Sequence, residues 1–217
     1  MTMQNRKKKE KSGRNSTDLP VKPVFLFNTL HNIAALTVIN PEKAANTISG
    51  LAQFIQLVLE LERRPFTILS QEFMCAESYL CIEKARFDDR LEISRDLAPD
   101  CMELPIPCFT LLPIVENCVV HAVERSSGLI RVELSAHCVQ DHYCIEISDS
   151  GPGPDPACPD LLSGVNGGLG FVRSRIRAAY GRRSVLAVEP KKPHGTRVIL
   201  RLSRSRADTI RSKHLDY

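Results

Sequence analysis

The sequence predicts an α+β protein: an N-terminal helical hairpin, then a two-layer α/β sandwich built on a mixed sheet. Three observations carry that expectation. Residues 23 to 64 hold two apolar repeats at helical spacing, broken once at "INPEKA". Beyond Pro65, short alternating segments such as "RLEISRDL", "LIRVELSAHC" and "TRVILRLS" interleave with helical ones. A Gly- and Pro-rich stretch, "DSGPGPDPACPDLLSGVNGGLG", separates a strand ending in Asp from a helix beginning after Gly, where such a sandwich would hold a ligand.

Taken in order, residues 1–20 are polar and basic, have no period and read as a disordered arm. Pro23 suits a first helical turn, and Leu26, Leu30, Ile33 and Thr37 recur at near-helical spacing. Asn40 is a candidate N-cap with Pro41 behind it. Ala44, Ile48, Leu51, Ile55 and Leu59 give the apolar stripe of a second helix ending near Arg64. Such a hairpin buries too little alone, so a second copy is expected to complete a four-helix bundle.

After Pro65, "FTIL" is a strand candidate, and Ser70 can cap a helix running to about Phe87. "LPIPCFTLLPIVENCVVHAV" reads as a mostly apolar helix, and the segments around "VQD" as an antiparallel hairpin. "FVRSRIRAAYG" is helical and closed by Gly181, and the last two strands turn at "HG". Residues 204–217 read as a frayed polar tail. The expected domains are therefore 1–20, 21–64, 65–203 and 204–217.

Composition excludes some classes. The 217 residues are 43% hydrophobic and 25% charged, with net charge +4. Six of the basic residues and one acidic residue fall within 1–14, so the rest is close to neutral. Residues 6–14 could touch nucleic acid or an anionic membrane, but a solvated leader is the favoured reading. No apolar run is long enough for a transmembrane segment, and no secretory signal is present, so a cytoplasmic location is expected, with membrane association through a partner as the alternative. The eight cysteines lack metal-ligand spacing and read as small, reduced core residues.

Two patches carry chemistry. Glu116 and Asn117 interrupt an apolar helix, where burying a carboxylate beside a carboxamide is costly without partners. Both are hard oxygen donors suited to Mg²⁺, and a pair capping a neighbouring loop is the competing explanation. In "DSGPG", Asp149 at a strand end can accept from an exocyclic amine such as adenine's. Gly151 and Gly153 permit close backbone approach or positive φ, and Gly168 and Gly170 would offer N–H groups at a helix start.

Together, "FLFNTL", "YLCIEKARFDDRLEI", "IPCFTLLPIVENCVVHA", "DSGPG", "GGLGFVRSRI" and "HGTRVIL" resemble successive motifs of the LytS/YehU-type sensor histidine kinases. These carry an ATPase domain of the kind shared by histidine kinases, gyrase, Hsp90 and MutL. The similarity spans about residues 21–202. It implies an ATP and Mg²⁺ site, a dimerising phosphotransfer hairpin and a response-regulator partner. By that resemblance Glu116 is the catalytic acidic residue of the N box, Asn117 its Mg²⁺ ligand and His121 its histidine. Asp149 is the adenine-binding residue, with Gly151 and Gly153 behind it, and Gly168 and Gly170 belong to the lid.

The departures matter equally. Where the family has a phosphoacceptor histidine, this chain has Val24, which has no nucleophilic nitrogen. Val120 stands where the family has a lysine, and Gln56-Leu57 where it has Arg-Tyr. An ungapped match puts Asn166 and Phe171 on a usual Gly and Asn, whereas a gapped one keeps Gly168-x-Gly170. His31, two turns beyond Val24, lacks the following Asn that the motif requires. Three readings follow: an ATP-binding regulator that does not phosphorylate itself, a catalytic subunit for a partner's histidine in a heterodimer, or an interaction module without nucleotide. The partner copy is expected to make a homodimer or a heterodimer with a related kinase.

Overall fold

A computed structural model describes residues 21–154 and 167–214. The basic arm, residues 155–166 with Cys158 and Asn166, and residues 215–217 lie outside the described residues. Helices α1 (Pro23–Ile39) and α2 (Pro41–Glu62) meet at Asn40, whose side chain accepts from the Lys43 N–H and caps α2. Strand β1 (Phe66–Ile68) leads into α3 (Leu69–Phe87), then come β2 (Leu91–Leu97), β3 (Pro105–Pro107) and α4 (Leu112–Cys118). Strands β4 (Ile130–Val139) and β5 (His142–Asp149) precede α5 (Gly167–Tyr180), β6 (Val185–Pro190), β7 (Thr196–Ser203) and α6 (Arg204–His214).

Five strands form the main sheet in the order β2-β4-β5-β7-β6. The β2–β4 pair is parallel and the other neighbours are antiparallel, so the sheet is mixed, as expected. Strands β1 and β3 make a separate antiparallel pair. Along β4, Ile130, Val132, Leu134 and Ala136 are buried while Arg131 and His137 face outward, the alternation of a sheet covered on one face. Those residues join a core supplied by α3, α4 and α5. Cys75, Cys101, Cys108 and Cys118 are buried in it, and all seven described cysteines are free. Among the described residues no helix is long and apolar enough to cross a membrane.

The hairpin departs from the expected stripes. On α1 the buried residues are Phe25, Thr29, Ile33 and Leu36, while Leu30 and Thr37 are exposed. On α2 they are Ala44, Thr47, Leu51, Phe54, Val58 and Leu61, leaving Ile48, Ile55 and Leu59 exposed. Both helices carry apolar side chains on more than one face, so period alone could not choose between them. What decides is packing on α3: Phe25, Phe54 and Tyr79 form an aromatic cluster with centroids 4.8 to 6.2 Å apart. A second apolar surface, with Val24, Phe27, Leu30 and Val38 on α1, remains outside.

Three other expectations change. Helix α3 starts at Leu69 with Ile68 at its N-cap, so Ser70 lies inside it. The segment before "IVEN" is strand β3 and a turn, and α4 begins only at Leu112. The expected frayed tail is helical over Arg204–His214, because Ala207 and Ile210 are buried against the sandwich.

The start of α4 is set by a buried carboxylate. Glu72 is 1% exposed, and its oxygens accept from the Phe109, Thr110 and Leu111 N–H groups at 2.6, 2.8 and 2.9 Å. These backbone donors lie ahead of the first helical turn, which offers them no intrahelical acceptor. Burial pushes the Glu72 carboxyl up to about 7, against the pull of those N–H groups and of the nearby Arg175 guanidinium. Replacing Glu72 with Ala strands three N–H groups and is expected to cost about 3 kcal/mol or more. An unfolding free energy from urea titration within about 0.5 kcal/mol of the parent would contradict that role.

Candidate functional site

Helix α4 places Glu116 in the core, at 4% exposure, and leaves Asn117 half-buried beside it. The helix then widens into a π turn over Val119–Val123, closed by the Glu124 N–H donating to the Val119 carbonyl. Such turns add a residue per helical turn, which moves His121 around the axis relative to Asn117. Nothing in the apolar pattern announces it. Val120 and His121 are both half-buried.

Strand β5 delivers Asp149, which is 3% exposed, to the same region. One of its oxygens, Oδ1, accepts from the Gly151 N–H at 2.8 Å and from the Thr196 N–H at 3.2 Å. Burial raises its carboxyl, and those two N–H groups oppose the rise. The glycines explain how the segments fit. A Cβ on Gly151 would overlap Ala122 in the π turn, so the "DSGPG" turn seats directly on the end of the α4 helix. Gly195, at φ +118°, lies so near the Asp149 carbonyl that any side chain would overlap it. Gly153, at φ +87°, faces the Gly195 carbonyl. The "DSGPG" and "HGT" turns are thereby pressed together, and Gly195 and Thr196 join the site although no role was assigned to them from sequence.

Gly168 and Gly170 both lie within the first turn of α5, not ahead of it, and a Cβ on Gly168 would stand 3.1 Å from the Pro113 side chain. The glycine-rich end of α5 therefore rests on the start of α4. Glu116, Asn117, His121 and Asp149 are thus carried by α4, its π turn and the end of β5, with α5 closing one side.

A further residue arrives from the hairpin. The Lys22 Nζ stands 3.1 Å from Glu116 Oε2. Burial pushes the Glu116 carboxyl up, and the Lys22 ammonium pulls it back. Burial holds the His121 imidazole below its usual range, with Arg125 and Lys22 adding to the effect. Two buried atoms here, Glu116 Oε1 and His121 Nδ1, have no hydrogen-bond partner. Val24, by contrast, is 64% exposed on the outer surface of α1, with His31 exposed beyond it.

Chemically the site offers hard oxygen donors, a carboxylate at a strand end and glycine-lined backbone. Among the described residues no group of three or more His, Cys, Asp or Glu can hold a metal alone. The donor set fits a Mg²⁺ ion that takes most of its shell from phosphate and water. Glu116 Oε1 is an oxygen such a ligand set could engage directly or through water.

Two family models match the chain: histidine kinase over residues 17–91, and histidine kinase-, DNA gyrase B- and HSP90-like ATPase over residues 109–206. The sensor histidine kinase BtsS of Escherichia coli K12 is 33% identical over 184 residues, covering 84% of this chain and 32% of that protein. The sensor protein LytS of Staphylococcus saprophyticus is 34% identical over 181 residues, covering 80% and 31%. The chain thus spans about a third of the length of these relatives. A histidine kinase domain from the blue-light activated histidine kinase of Erythrobacter litoralis shares the fold, with TM-score 0.52 and 13% identity over 87% of this chain and 99% of that one.

Replacing Gly195 with Ala places a methyl group on the Asp149 carbonyl at a φ that L-residues avoid. A loss of about 2 kcal/mol or more is expected in thermal or urea unfolding. An unchanged midpoint would show that the two turns can part without cost.

Proposed function

The chain belongs to the LytS/YehU-type histidine kinase family, and we propose that it binds Mg-ATP but does not accept phosphate at position 24. The observation that carries this reading is a contrast. The Asp149 turn is seated on the helix end that bears Glu116, Asn117 and His121, while the acceptor position is a valine on the outer face of α1.

In this reading Asp149 takes the exocyclic amine of adenine, and Gly151, Gly153, Gly195 and Thr196 shape the base-binding turn. Asn117 holds Mg²⁺, Glu116 and His121 lie beside the phosphates, and Gly168 and Gly170 form the hinge of a lid. Mg-ATP supplies a transferable phosphoryl group, and the Mg²⁺ offsets the charge that develops on it. We place the phosphotransfer-like hairpin at residues 21–64 and the nucleotide domain at 65–203. The outer apolar surface of α1 and α2, with Val24, Phe27, Val38, Ile48 and Ile55, suits a second hairpin, in a homodimer or a heterodimer with a related kinase. A response regulator is the partner such a hairpin would engage, and the cytoplasm is the compartment in which the two would meet.

One observation favours a second reading. Position 24 sits on the surface that a second hairpin would cover, so the nucleotide site of this chain could serve a histidine on its partner.

Calorimetric titration with Mg-ATP tests the first reading. The parent is expected to bind, and Asp149→Asn and Asn117→Ala to weaken binding about tenfold or more. Absence of heat in the parent would overturn it. With γ-labelled ATP the chain alone should take up no acid-labile phosphate, and label that disappears in His31→Gln would show an acceptor two turns along. In a mixture of parent and Val24→His chains, label on the variant would establish the catalytic reading, and its absence would limit the protein to nucleotide binding.

A further inference from the structure

The first turn of α1 is fastened to the candidate site from two sides. Val21 and Phe25 are each 4% exposed, and Phe25 packs on Phe54 and Tyr79. Between them, Lys22 is the N-cap of α1, and Pro23 fixes the backbone that follows. Its Nζ reaches Glu116 Oε2 at 3.1 Å, yet its side chain stays 54% exposed while that of Glu116 is 5% exposed. One end of this bridge is locked in the core and the other can swing. The helix bearing Glu116 has Val120 where the family has a lysine, and the hairpin brings a cation to Glu116.

We propose that Lys22 is a nucleotide-binding residue lent to the pocket by the hairpin, donating to the terminal phosphate of Mg-ATP and so tying nucleotide occupancy to the docking of α1. The inference rests on the Mg-ATP reading above. A metal held on Asn117 brings its phosphate ligands beside Glu116, the residue that Lys22 already touches. A lysine ammonium carries three donors on a flexible four-carbon stem, so it can turn from a single carboxylate toward a more highly charged polyphosphate. Removal of the terminal phosphate removes its partner. Lys22 therefore separates ATP from ADP, whereas Asp149 and Asn117 serve both.

Calorimetric titration of the full chain with Mg-ATP and Mg-ADP, using the parent, Lys22→Met and Lys22→Arg, provides the test. Lys22→Met should weaken Mg-ATP about tenfold, the loss of one charge-assisted hydrogen bond, and Mg-ADP less than about threefold. Lys22→Arg should keep the preference for ATP. Amide hydrogen exchange gives a second readout that needs no activity. In the parent, Mg-ATP should change protection over residues 21–30 and Mg-ADP should not; in Lys22→Met the two nucleotides should look alike. Parent-like affinities in Lys22→Met, or equal weakening of both nucleotides, would overturn the proposal while leaving the Mg-ATP reading intact. A parent that binds neither nucleotide would overturn both.

Discussion

Three backbone N–H groups converge on the buried carboxylate of Glu72, and the placement of the candidate site follows from that contact. The residues ahead of α4 turn sharply, with Phe109 at φ +59°, and their donors would otherwise be stranded in the core. Held on Glu72, α4 enters at a fixed angle and carries Glu116 and Asn117 toward the end of the central strand β5. The Arg175 guanidinium, from α5, donates to the carbonyls of Pro65 and Cys108 beside the same turn. The α3, α4 and α5 helices are therefore joined by charge-assisted contacts as well as by apolar packing.

From that anchor the site is assembled by close backbone approach. Gly151 seats the β5 turn on the π turn, and Gly195 presses the β6–β7 connection onto Asp149. Gly153 alone of the first pair serves positive φ, while Gly151 serves contact with Ala122, so the two glycines of "DSGPG" answer different needs. Lys22 adds a tie that runs from the hairpin into the sandwich. The hairpin and the sandwich thus share a charged residue pair as well as the aromatic packing of Phe25 on Tyr79.

Much of this was legible in the sequence where the chemistry was unusual for its setting. Glu116-Asn117 stands out because burying a carboxylate beside a carboxamide in an apolar helix is costly without partners, and Asp149 because a strand ends on it before a glycine-rich turn. The alternating strands fixed the mixed sheet. Legibility failed where two physical demands overlapped. In α1 and α2, one apolar face packs on α3 and another stays outside, and a period cannot rank them, so a stripe read from spacing includes the exposed Leu30, Ile48, Ile55 and Leu59 beside the buried Ile33, Ala44 and Leu51. Glu72 reads as an ordinary solvated helix residue until the turn at 109–111 is folded over it. The Lys22–Glu116 pair and the Gly195 contact join segments distant in the chain, and no local pattern encodes them.

The central claim is that this chain keeps a working nucleotide pocket while its own acceptor position is a valine. A crystal structure of the full chain grown with Mg²⁺ and a non-hydrolysable ATP analogue tests it most directly. The account predicts the adenine amine within hydrogen-bonding distance of Asp149, Mg²⁺ on Asn117, and Val24 remote from the terminal phosphate. Nucleotide bound elsewhere, or an empty pocket at saturating analogue, would contradict it.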